Sequence, residues 1–346
     1  MSAMTAMASN ALPRANTESG TSPVALSVEG MAVTYSGLLE VCSDVSIDVR
    51  RGEALALIGE SGSGKSVTVL AVTGLLGRGG AIVRGSVKLD GEEISHLSER
   101  ERRRRGLLGK RIGMIFQNPS RALDPVFTIG QQLNEALSLT GLKGKVELRA
   151  KGAEWLRHVG LPDPEEALDC YPHQLSGGQR QRAMIAIALA SEPALLIADE
   201  PTTALDVTIQ AQVLNLIRRL QKELNLALVL VTHDFGVVAA MADRVAVMYG
   251  GQVVETGSVD EIIRTPRHPY TQALLASIPT GEAGARIQAL PGSVPHAGAM
   301  PRGCRFHPRC PAALPLCQDS APALQPAADG RVMRCLRADD LERHDA

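Results

Sequence analysis

The stretch ALALIGESGSGKS, residues 54–66, decides the fold of this 346-residue chain. Its five leading apolar residues predict a buried strand, and the pattern G-x-x-x-x-G-K-[ST] follows directly at 59–66. Glycines let successive backbone N–H groups turn toward a polyphosphate, and the N-terminus of the following helix favours an anion. The alternative, a plain glycine-rich turn, is disfavoured by the strand–loop–helix context. We therefore predict a nucleotide phosphate site formed by Gly59, Ser61, Gly62, Ser63, Gly64, Lys65 and Ser66.

A second element complements this loop. In the motif, Lys65 reaches the β- and γ-phosphates and Ser66 ligates Mg²⁺. The segment LLIADE, residues 195–200, predicts a buried strand that ends in two carboxylates. Buried acids are costly unless a cation or hydrogen bonds compensate them. Beside the phosphate loop, this favours Asp199 as a Mg²⁺ ligand and Glu200 as the group that polarises an attacking water, over two solvated residues at a strand end.

Composition narrows the classes of function. Hydrophobic residues make up 45% of the chain, and 36 Lys and Arg face 37 Asp and Glu, so no net field favours nucleic acid or an anionic membrane. The arginine-rich stretch at 100–105 includes a glutamate and follows another, which predicts a solvated helix end rather than a nucleic-acid patch. No apolar run approaches the roughly 20 residues that span a bilayer. Residues 1–23 are small and polar, lack a signal-peptide pattern and predict a disordered leader.

Apolar patterns divide the rest of the chain. Short β segments precede the phosphate loop, and residues 118–190 predict a mainly helical insert. Parallel-sheet character returns with PALLIADEP, ALVLVTHD and RVAVMYGGQVVETG, separated by helical patterns, which predicts an α/β core with a covered sheet. From residue 281 to 346 the composition shifts to Pro, Gly, Ala and Cys, which predicts a separate tail.

Further motifs occur in a fixed order. LSGGQ lies upstream of LLIADE. In chain order the motifs are Tyr35 in VTYSG, Gln117 in MIFQNP, LSGGQ at 175–179, ALD at 204–206 and His233 in VTHD. Each is weak alone, since a lone His or Gln is more often structural. Together they make residues 24–280 resemble the nucleotide-binding subunits of ABC transporters.

The resemblance implies both the fold and the site. The expected fold is α/β: a P-loop NTPase core of the ABC ATPase type with an antiparallel β subdomain, a helical subdomain and a small Cys-containing C-terminal extension. Tyr35 would stack on adenine, and Gln117 would join Ser66 and Asp199 at Mg²⁺. The catalytic residues would be Glu200 as the base, His233 on the γ-phosphate, Gln117 and Lys65.

The signature loop implies a second subunit. Ser176, Gly177, Gly178 and Gln179 lie at a predicted helix N-terminus, which forms an anion receptor. In the family this receptor binds ATP held by the opposite subunit. The chain is therefore expected to pair with itself or with a sister ATPase, and the sister is favoured.

The residues that flank the motifs indicate a subgroup of this family. QNPSRALDPVFTIGQQL, YPHQLSGGQRQRAMIAIAL and HPYTQALLASIP are similar to the oligopeptide/dipeptide/nickel importer ATPases. This implies an ATP-hydrolysing subunit at the cytoplasmic face of the membrane, working with two transmembrane permease subunits and, indirectly, an extracytoplasmic solute-binding protein. Peptides are the favoured cargo, with nickel or another solute open. The alternative function, from a different class of protein, is a non-transport ABC ATPase that acts on nucleic acid or ribosomes. No nucleic-acid partner is expected for this chain.

Four cysteines are concentrated in the tail. Cys304, Cys310, Cys317 and Cys335 are spaced C-x5-C-x6-C-x17-C. Peptide-importer ATPases carry a similar element, and in some of them it holds a [4Fe–4S] cluster. Four thiolates suit either Fe–S or Zn²⁺. The spacing differs from the short C-x2-C knuckles of common zinc sites, so Fe–S is favoured, with zinc, spare thiols or a disulfide pair as alternatives.

Overall fold

The computed structural model describes residues 22–203, 205–278, 290–326 and 331–338. Most of the expected leader at 1–23, Ala204 of the ALD motif and the expected domain boundary near residue 280 lie outside these ranges. Within them the chain forms twelve strands, which are β1 (Val24–Tyr35), β2 (Leu39–Arg50), β3 (Ala54–Ile58), β4 (Gly80–Leu89), β5 (Glu92–Glu93), β6 (Ile112–Ile115), β7 (Leu195–Asp199), β8 (Ala227–Val231), β9 (Arg244–Tyr249), β10 (Gln252–Ser258), β11 (Gln325–Pro326) and β12 (Val332–Met333).

The described residues also form twelve α-helices. They are α1 (Lys65–Thr73), α2 (Glu99–Arg104), α3 (Pro119–Ala122), α4 (Ile129–Ser138), α5 (Lys145–His158), α6 (Pro164–Ala167), α7 (Gly177–Leu189), α8 (Val207–Glu223), α9 (Phe235–Met241), α10 (Val259–Arg264), α11 (Pro269–Ala276) and α12 (Leu316–Asp319).

A mainly parallel sheet forms the core. Strands β6, β7, β8, β3 and β9 lie side by side in that order, and each pairs in parallel with its neighbours. Every residue of β3 and β8 is buried, as expected for strands covered on both faces. Because the strands are parallel, their carboxyl ends meet at one edge of the sheet. The phosphate loop after β3, Glu200 after β7 and His233 shortly after β8 are therefore brought to the same edge.

Two further layers cover this sheet. An antiparallel sheet in the order β2-β1-β4-β5 packs with α1 against one face, through apolar side chains that include Val28, Val69 and Leu57. Helices α3 to α7 form the second layer. Their buried side chains, which include Leu133 and Trp155, share one apolar cluster with residues of the parallel sheet. The α/β fold with an antiparallel β sheet and a helical portion, expected from the resemblance, is confirmed.

The sequence did not reveal how the sheet ends. The sequence pattern places RVAVMYGGQVVETG with the parallel strands, but Gly250 and Gly251 have φ of 54° and 79° and reverse the chain, so β10 pairs antiparallel with β9. The described part of the predicted separate tail joins the same sheet, because β12 adds to β10 and β11 adds to β12. Period-2 apolar patterns do not encode strand direction, and only the Gly-Gly turn signalled the reversal.

An aromatic cluster fastens the tail to the core. Phe306 is 2% exposed, and its ring centroid lies 5.1 Å from that of Tyr249 in β9 and 5.3 Å from that of Tyr270 in α11. Both pairs meet edge to face, which is a favourable arrangement for aromatic rings. The tail therefore contributes to the central core.

We expect Phe306→Ala to lower the free energy of unfolding by about 3–5 kcal/mol, because it removes a fully buried aromatic side chain and leaves a cavity. Leu316→Ala is the matched control: this tail side chain is 56% exposed, so its loss should change stability by about 0.5 kcal/mol or less. Urea unfolding of both variants would measure the difference. Equal effects would mean that the tail does not pack on the core as described.

Candidate functional site

The phosphate loop has a backbone that only glycine accommodates at two positions. Gly59 has φ of 149°, and a Cβ there would lie 2.2 Å from the Met248 carbonyl oxygen. Gly64 has φ of 104°, and its Cβ would lie 2.9 Å from Gly251 Cα. The Gly251 N–H donates to the Ser63 carbonyl oxygen at 2.8 Å. The loop is thus held against the turn between β9 and β10 by close backbone packing.

Lys65 folds back over this loop. Its Nζ donates to the carbonyl oxygens of Gly59 at 2.7 Å and Glu60 at 3.0 Å. Burial lowers the pKa of Lys65, and the nearby carboxylates of Glu200 and Asp199 oppose that shift. The neighbouring Ser66 is exposed in the first turn of α1. The loop therefore presents a buried cation and an exposed hydroxyl at a helix N-terminus, the chemistry that a polyphosphate with Mg²⁺ requires.

The two acids lie at the end of β7, close enough to Lys65 to influence its charge. Burial raises the pKa of Asp199, the Glu200 carboxylate raises it further, and Lys65 lowers it. A bound divalent cation would favour the ionised carboxylate and offset that burial. Asp199 is thus suited to hold Mg²⁺.

Glu200 is the centre of a hydrogen-bond cluster. Its carboxylate accepts from Gln117 Nε2 at 2.7 Å and from Thr203 Oγ1 at 3.0 Å, and it lies 3.1 Å from His233 Nδ1. The structure thus brings Gln117 and His233, separated by 116 positions in the chain, onto one carboxylate. Three predicted site residues, Gln117, Glu200 and His233, therefore meet at the Glu200 carboxylate.

The backbone at Glu200 is itself unusual. Its φ is 45°, a left-handed conformation that is uncommon for a residue other than Gly, Asn or Asp. Its N–H donates to the Val231 carbonyl oxygen at 2.9 Å, which anchors the strained residue to the end of β8. Strain of this kind costs about 1–3 kcal/mol and occurs most often at functional positions.

Thr203 was missed by sequence reasoning. Its hydroxyl completes the cluster around Glu200. The available signal was a Thr three residues after the acid in DEPTT, where a tight turn returns the chain. That pattern is too common in turns to identify a site residue by itself.

The signature residues form a helix cap apart from this cluster. Ser176 caps α7: its Oγ accepts from the Gln179 N–H, and its own N–H donates to Gln179 Oε1 at 2.8 Å. A Cβ on Gly177 would meet open space, whereas one on Gly178 would lie 3.3 Å from Ile209 Cγ2. Among the described residues, no hydrogen bond or ion pair links 175–179 to the phosphate loop or to Glu200. The exposed helix N-terminus remains available to an anion.

Tyr35 lies at the end of β1, half-buried. Its hydroxyl donates to the Leu76 carbonyl oxygen at 3.0 Å, just beyond the C-terminal end of α1. Among the described residues, no side-chain hydrogen bond links Tyr35 to the phosphate loop. The adenine-stacking role expected of Tyr35 stays a prediction.

The four tail cysteines converge on one small cavity of about 20 Å³. Burial, and then the neighbouring thiols, raise the pKa of Cys335 to about 11, and burial also raises the pKa of Cys304 and Cys310. In the described part of the chain, however, no three His, Cys, Asp or Glu side chains form a group that could bind one metal ion. Around a single tetrahedral Zn²⁺ with Zn–S bonds of about 2.3 Å, the ligand sulfurs would lie about 3.8 Å apart. Four thiols are the donor type that a metal–sulfur group requires, but their arrangement in the described residues does not form a metal-binding group.

An open apolar groove of about 840 Å³ lies beside the Gln117 segment. Its walls include Phe116, Leu123 and Phe127, and Phe127 is 49% exposed. The adjacent Val126 is 69% exposed. Exposed large apolar side chains around a groove are typical of a protein-binding surface.

None of the helices in the described ranges combines the length and apolar character that a membrane span requires.

Comparison with known proteins gives two family matches. The ABC transporter family matches residues 42–203, and the family described as oligopeptide/dipeptide transporter, C-terminal region, matches residues 254–317. The dipeptide transport ATP-binding protein DppD of Escherichia coli K12 is 46% identical over 314 residues, covering 90% of this chain and 95% of that protein. The oligopeptide transport ATP-binding protein AppD of Bacillus subtilis 168 is 49% identical over 294 residues, covering 84% and 89%.

Solved structures agree with the fold. The chain superposes on cbiO1 of Clostridium perfringens, part of the ABC transporter complex cbiONQ, with a TM-score of 0.61 and 28% identity, covering 70% of this chain and 92% of that one. The dimeric post-hydrolysis ATP-binding cassette MJ0796, bound to ADP and Pi, gives a TM-score of 0.59 with 27% identity over 68% and 98% of the two chains. An identity of 46% across nine-tenths of the sequence agrees with what the sheet edge already indicated: the chain belongs to the ABC transporter family, as an ATP-binding, ATP-hydrolysing subunit with the oligopeptide/dipeptide transporter C-terminal region.

Proposed function

We propose that this ATPase drives the uptake of di- or oligopeptides. The support is the conjunction of an ABC cassette with a C-terminal region characteristic of peptide transporters, and the relatives DppD and AppD carry dipeptide and oligopeptide transport in their names. Nickel or another solute remains the alternative cargo. A role on nucleic acid or ribosomes has no support among these matches.

The residue roles that we propose rest on the cluster around Glu200. The phosphate loop and Lys65 bind the β- and γ-phosphates, while Ser66, Asp199 and Gln117 hold Mg²⁺, which neutralises phosphate charge. Glu200 polarises the attacking water and His233 contacts the γ-phosphate. Gln117 Nε2 donates to Glu200 and His233 Nδ1 lies 3.1 Å from it, contacts that leave Gln117 Oε1 for Mg²⁺ and His233 Nε2 for the γ-phosphate.

We further propose that the site is completed by a second ATPase. The signature cap at Ser176 is exposed, and its hydrogen bonds in the described chain stay within the first turn of α7, whereas the dipole of this helix N-terminus favours a phosphate. A sister chain, or a second copy, would supply the phosphate, and each subunit would complete the other's site. Opening of the pair after hydrolysis would then be the mechanical output.

The apolar groove is the proposed contact with two transmembrane permease subunits at the cytoplasmic face of the membrane. It lies directly beside Gln117, so a membrane-protein segment seated against Phe127 would be adjacent to a Mg²⁺ ligand. An extracytoplasmic binding protein would deliver the cargo to the permeases. This arrangement links the nucleotide site to transport.

For the tail we propose a [4Fe–4S] cluster held by Cys304, Cys310, Cys317 and Cys335, with Zn²⁺ as the alternative. The support is that all four thiols line one small cavity. Such a group would hold together a segment with little regular structure of its own.

Glu200→Gln should keep ATP binding but lower turnover by at least about 100-fold, because the amide preserves the shape and removes the base. The measurement is steady-state phosphate release beside equilibrium ATP binding. Glu223→Gln, an exposed acid on α8, is the control and should hydrolyse normally. Unimpaired hydrolysis by Glu200→Gln would remove Glu200 from the proposed role.

Ser176→Arg should spare ATP binding by the separate chain and impair hydrolysis at the partner's site, since a bulky side chain blocks the anion receptor. Ser98→Arg is the matched control, because Ser98 caps α2 with the same reciprocal pairing to the third helical residue. Activity would be measured in the assembled ATPase pair. Full activity of the Ser176 variant there would argue against a shared site.

Anaerobically purified protein should contain iron and acid-labile sulfide and show broad visible absorption. Cys317→Ser should lose both, and Cys170→Ser, which changes a cysteine outside the cavity, should retain both. Elemental analysis of the three proteins measures the difference. Zinc without iron would establish the alternative metal.

A further inference from the structure

An ion pair joins the C-terminal segment to the phosphate loop. Arg309 Nη1 lies 2.8 Å from Glu60 Oε2, and Nη2 lies 3.0 Å from Glu60 Oε1. The side chains are 7% and 28% exposed. Bidentate pairs between guanidinium and carboxylate are geometrically specific, and a mostly buried pair is screened less than a surface one. Glu60 is the second residue of the phosphate motif, so the pair acts directly on that loop.

Arg309 is itself held in place. Its Nε donates to the Pro291 carbonyl oxygen at 2.8 Å, and its guanidinium lies 5.7 Å from the centroid of the Tyr249 ring, a cation–π contact. These contacts come from the tail and from β9. The guanidinium is therefore a fixed point for Glu60.

Glu60 is the residue through which the loop is organised. Its N–H donates to Tyr270 Oη at 2.9 Å, and Tyr270 is fully buried against Phe306 of the same tail. Its carbonyl oxygen accepts from Lys65 Nζ and from the Ser63 N–H, at 3.0 and 3.2 Å. The side chain and the N–H of Glu60 thus bond to residues outside the loop, whereas its carbonyl oxygen bonds to residues within the loop.

The same segment reaches the loop from a second side. Arg305 donates to the Gly250 carbonyl oxygen and lies 3.7 Å from the Glu40 carboxylate. Gly251, the next residue, donates to the Ser63 carbonyl oxygen and packs against Gly64. Two tail arginines, four positions apart, therefore reach the phosphate loop by different routes. Arg309 pairs with Glu60 in the loop, and Arg305 binds the turn that packs against it.

Charge gives the ion pair a further consequence. Glu60 places a carboxylate in a loop that has to attract a polyphosphate. Left unpaired, that carboxylate would repel the phosphates, and the low accessibility of the pair would limit screening by salt.

We propose that Arg309 is a positioning residue for ATP binding: it fixes Glu60, and through it the phosphate loop, and cancels the one negative charge that the loop carries. The C-terminal region thereby takes part in nucleotide binding. The inference rests on the proposed phosphate loop and goes beyond the roles assigned to it above.

The test compares four variants of the full chain: Arg309→Gln, Arg309→Lys, Glu60→Gln and the double change Arg309→Gln with Glu60→Gln. We expect Arg309→Gln to raise the Kd for Mg-ATP by on the order of tenfold, since it leaves the carboxylate unpaired. Arg309→Lys keeps the charge without the bidentate fork and should weaken binding less. The double variant should regain most of the lost affinity, because the uncompensated charge is gone.

Two readouts separate positioning from general destabilisation. Titration with Mg-ATP gives the Kd, and amide hydrogen exchange of residues 59–66 without nucleotide should be faster in Arg309→Gln. Arg149→Gln is the control: it breaks a bidentate pair with Asp169 at 2.7 and 2.8 Å that is 51% and 69% exposed, and it should change neither readout. Should Arg309→Gln fail to fold, Arg309→Lys with normal affinity and normal exchange would overturn the proposal.

The outcomes also distinguish this inference from the site assignment. An unchanged Kd in Arg309→Gln, or a double variant no better than Arg309→Gln, would overturn the proposed charge compensation. Lys65→Ala, measured in parallel, tests the loop itself. If Lys65→Ala binds Mg-ATP normally, the phosphate-site assignment fails as well; if it loses binding while the Arg309 variants do not, the inference about Arg309 fails alone.

Discussion

The parallel ladder that joins β3, β8 and β7 is the constraint on which the site depends. Residues 54–57 pair with 228–231, and 195–199 pair with 227–231, so all three strands end at the same edge. The groups that follow them, a phosphate loop, an acid and a histidine, share no local sequence. They meet because a buried parallel sheet fixes its register through continuous hydrogen bonding. A slip of one residue in any of these strands would separate the loop from Glu200.

The hydrogen bonds around Glu200 bring three separate elements of the fold to one carboxylate. Gln117 arrives from the end of β6, His233 from the end of β8, and Thr203 from the turn after β7. The left-handed backbone of Glu200 aims its side chain at all three. Under the roles proposed for these residues, the same few hydrogen bonds would link nucleotide binding to Glu200.

Local sequence patterns indicate most residues of the candidate site. They do not indicate the long-range contacts that hold those residues in place. Gly59, Lys65, Asp199 and Glu200 could be placed because each follows an apolar run whose end has a defined chemistry. Gln117 and His233 needed the order of motifs in a known family. The pair between Glu60 and Arg309 could not be predicted, since the residues are 249 positions apart and a charged residue in a loop carries no sign of its partner. The direction of β10 was missed for a related reason, because alternation of apolar residues is the same in either strand direction.

The pairing of β12 with β10 has a consequence for the handling of the protein. β10 carries five consecutive buried residues, and in the described chain its outer side is covered by a short tail segment: Val332 and Met333 pair with it, and the Arg334 N–H donates to the Val254 carbonyl oxygen. A chain cut before residue 331 would leave the backbone N–H and C=O groups of an apolar strand uncovered, and open edges of this kind recruit strands from other molecules. Loss of β12 would therefore favour self-association of this subunit even with the ATP-binding motifs intact.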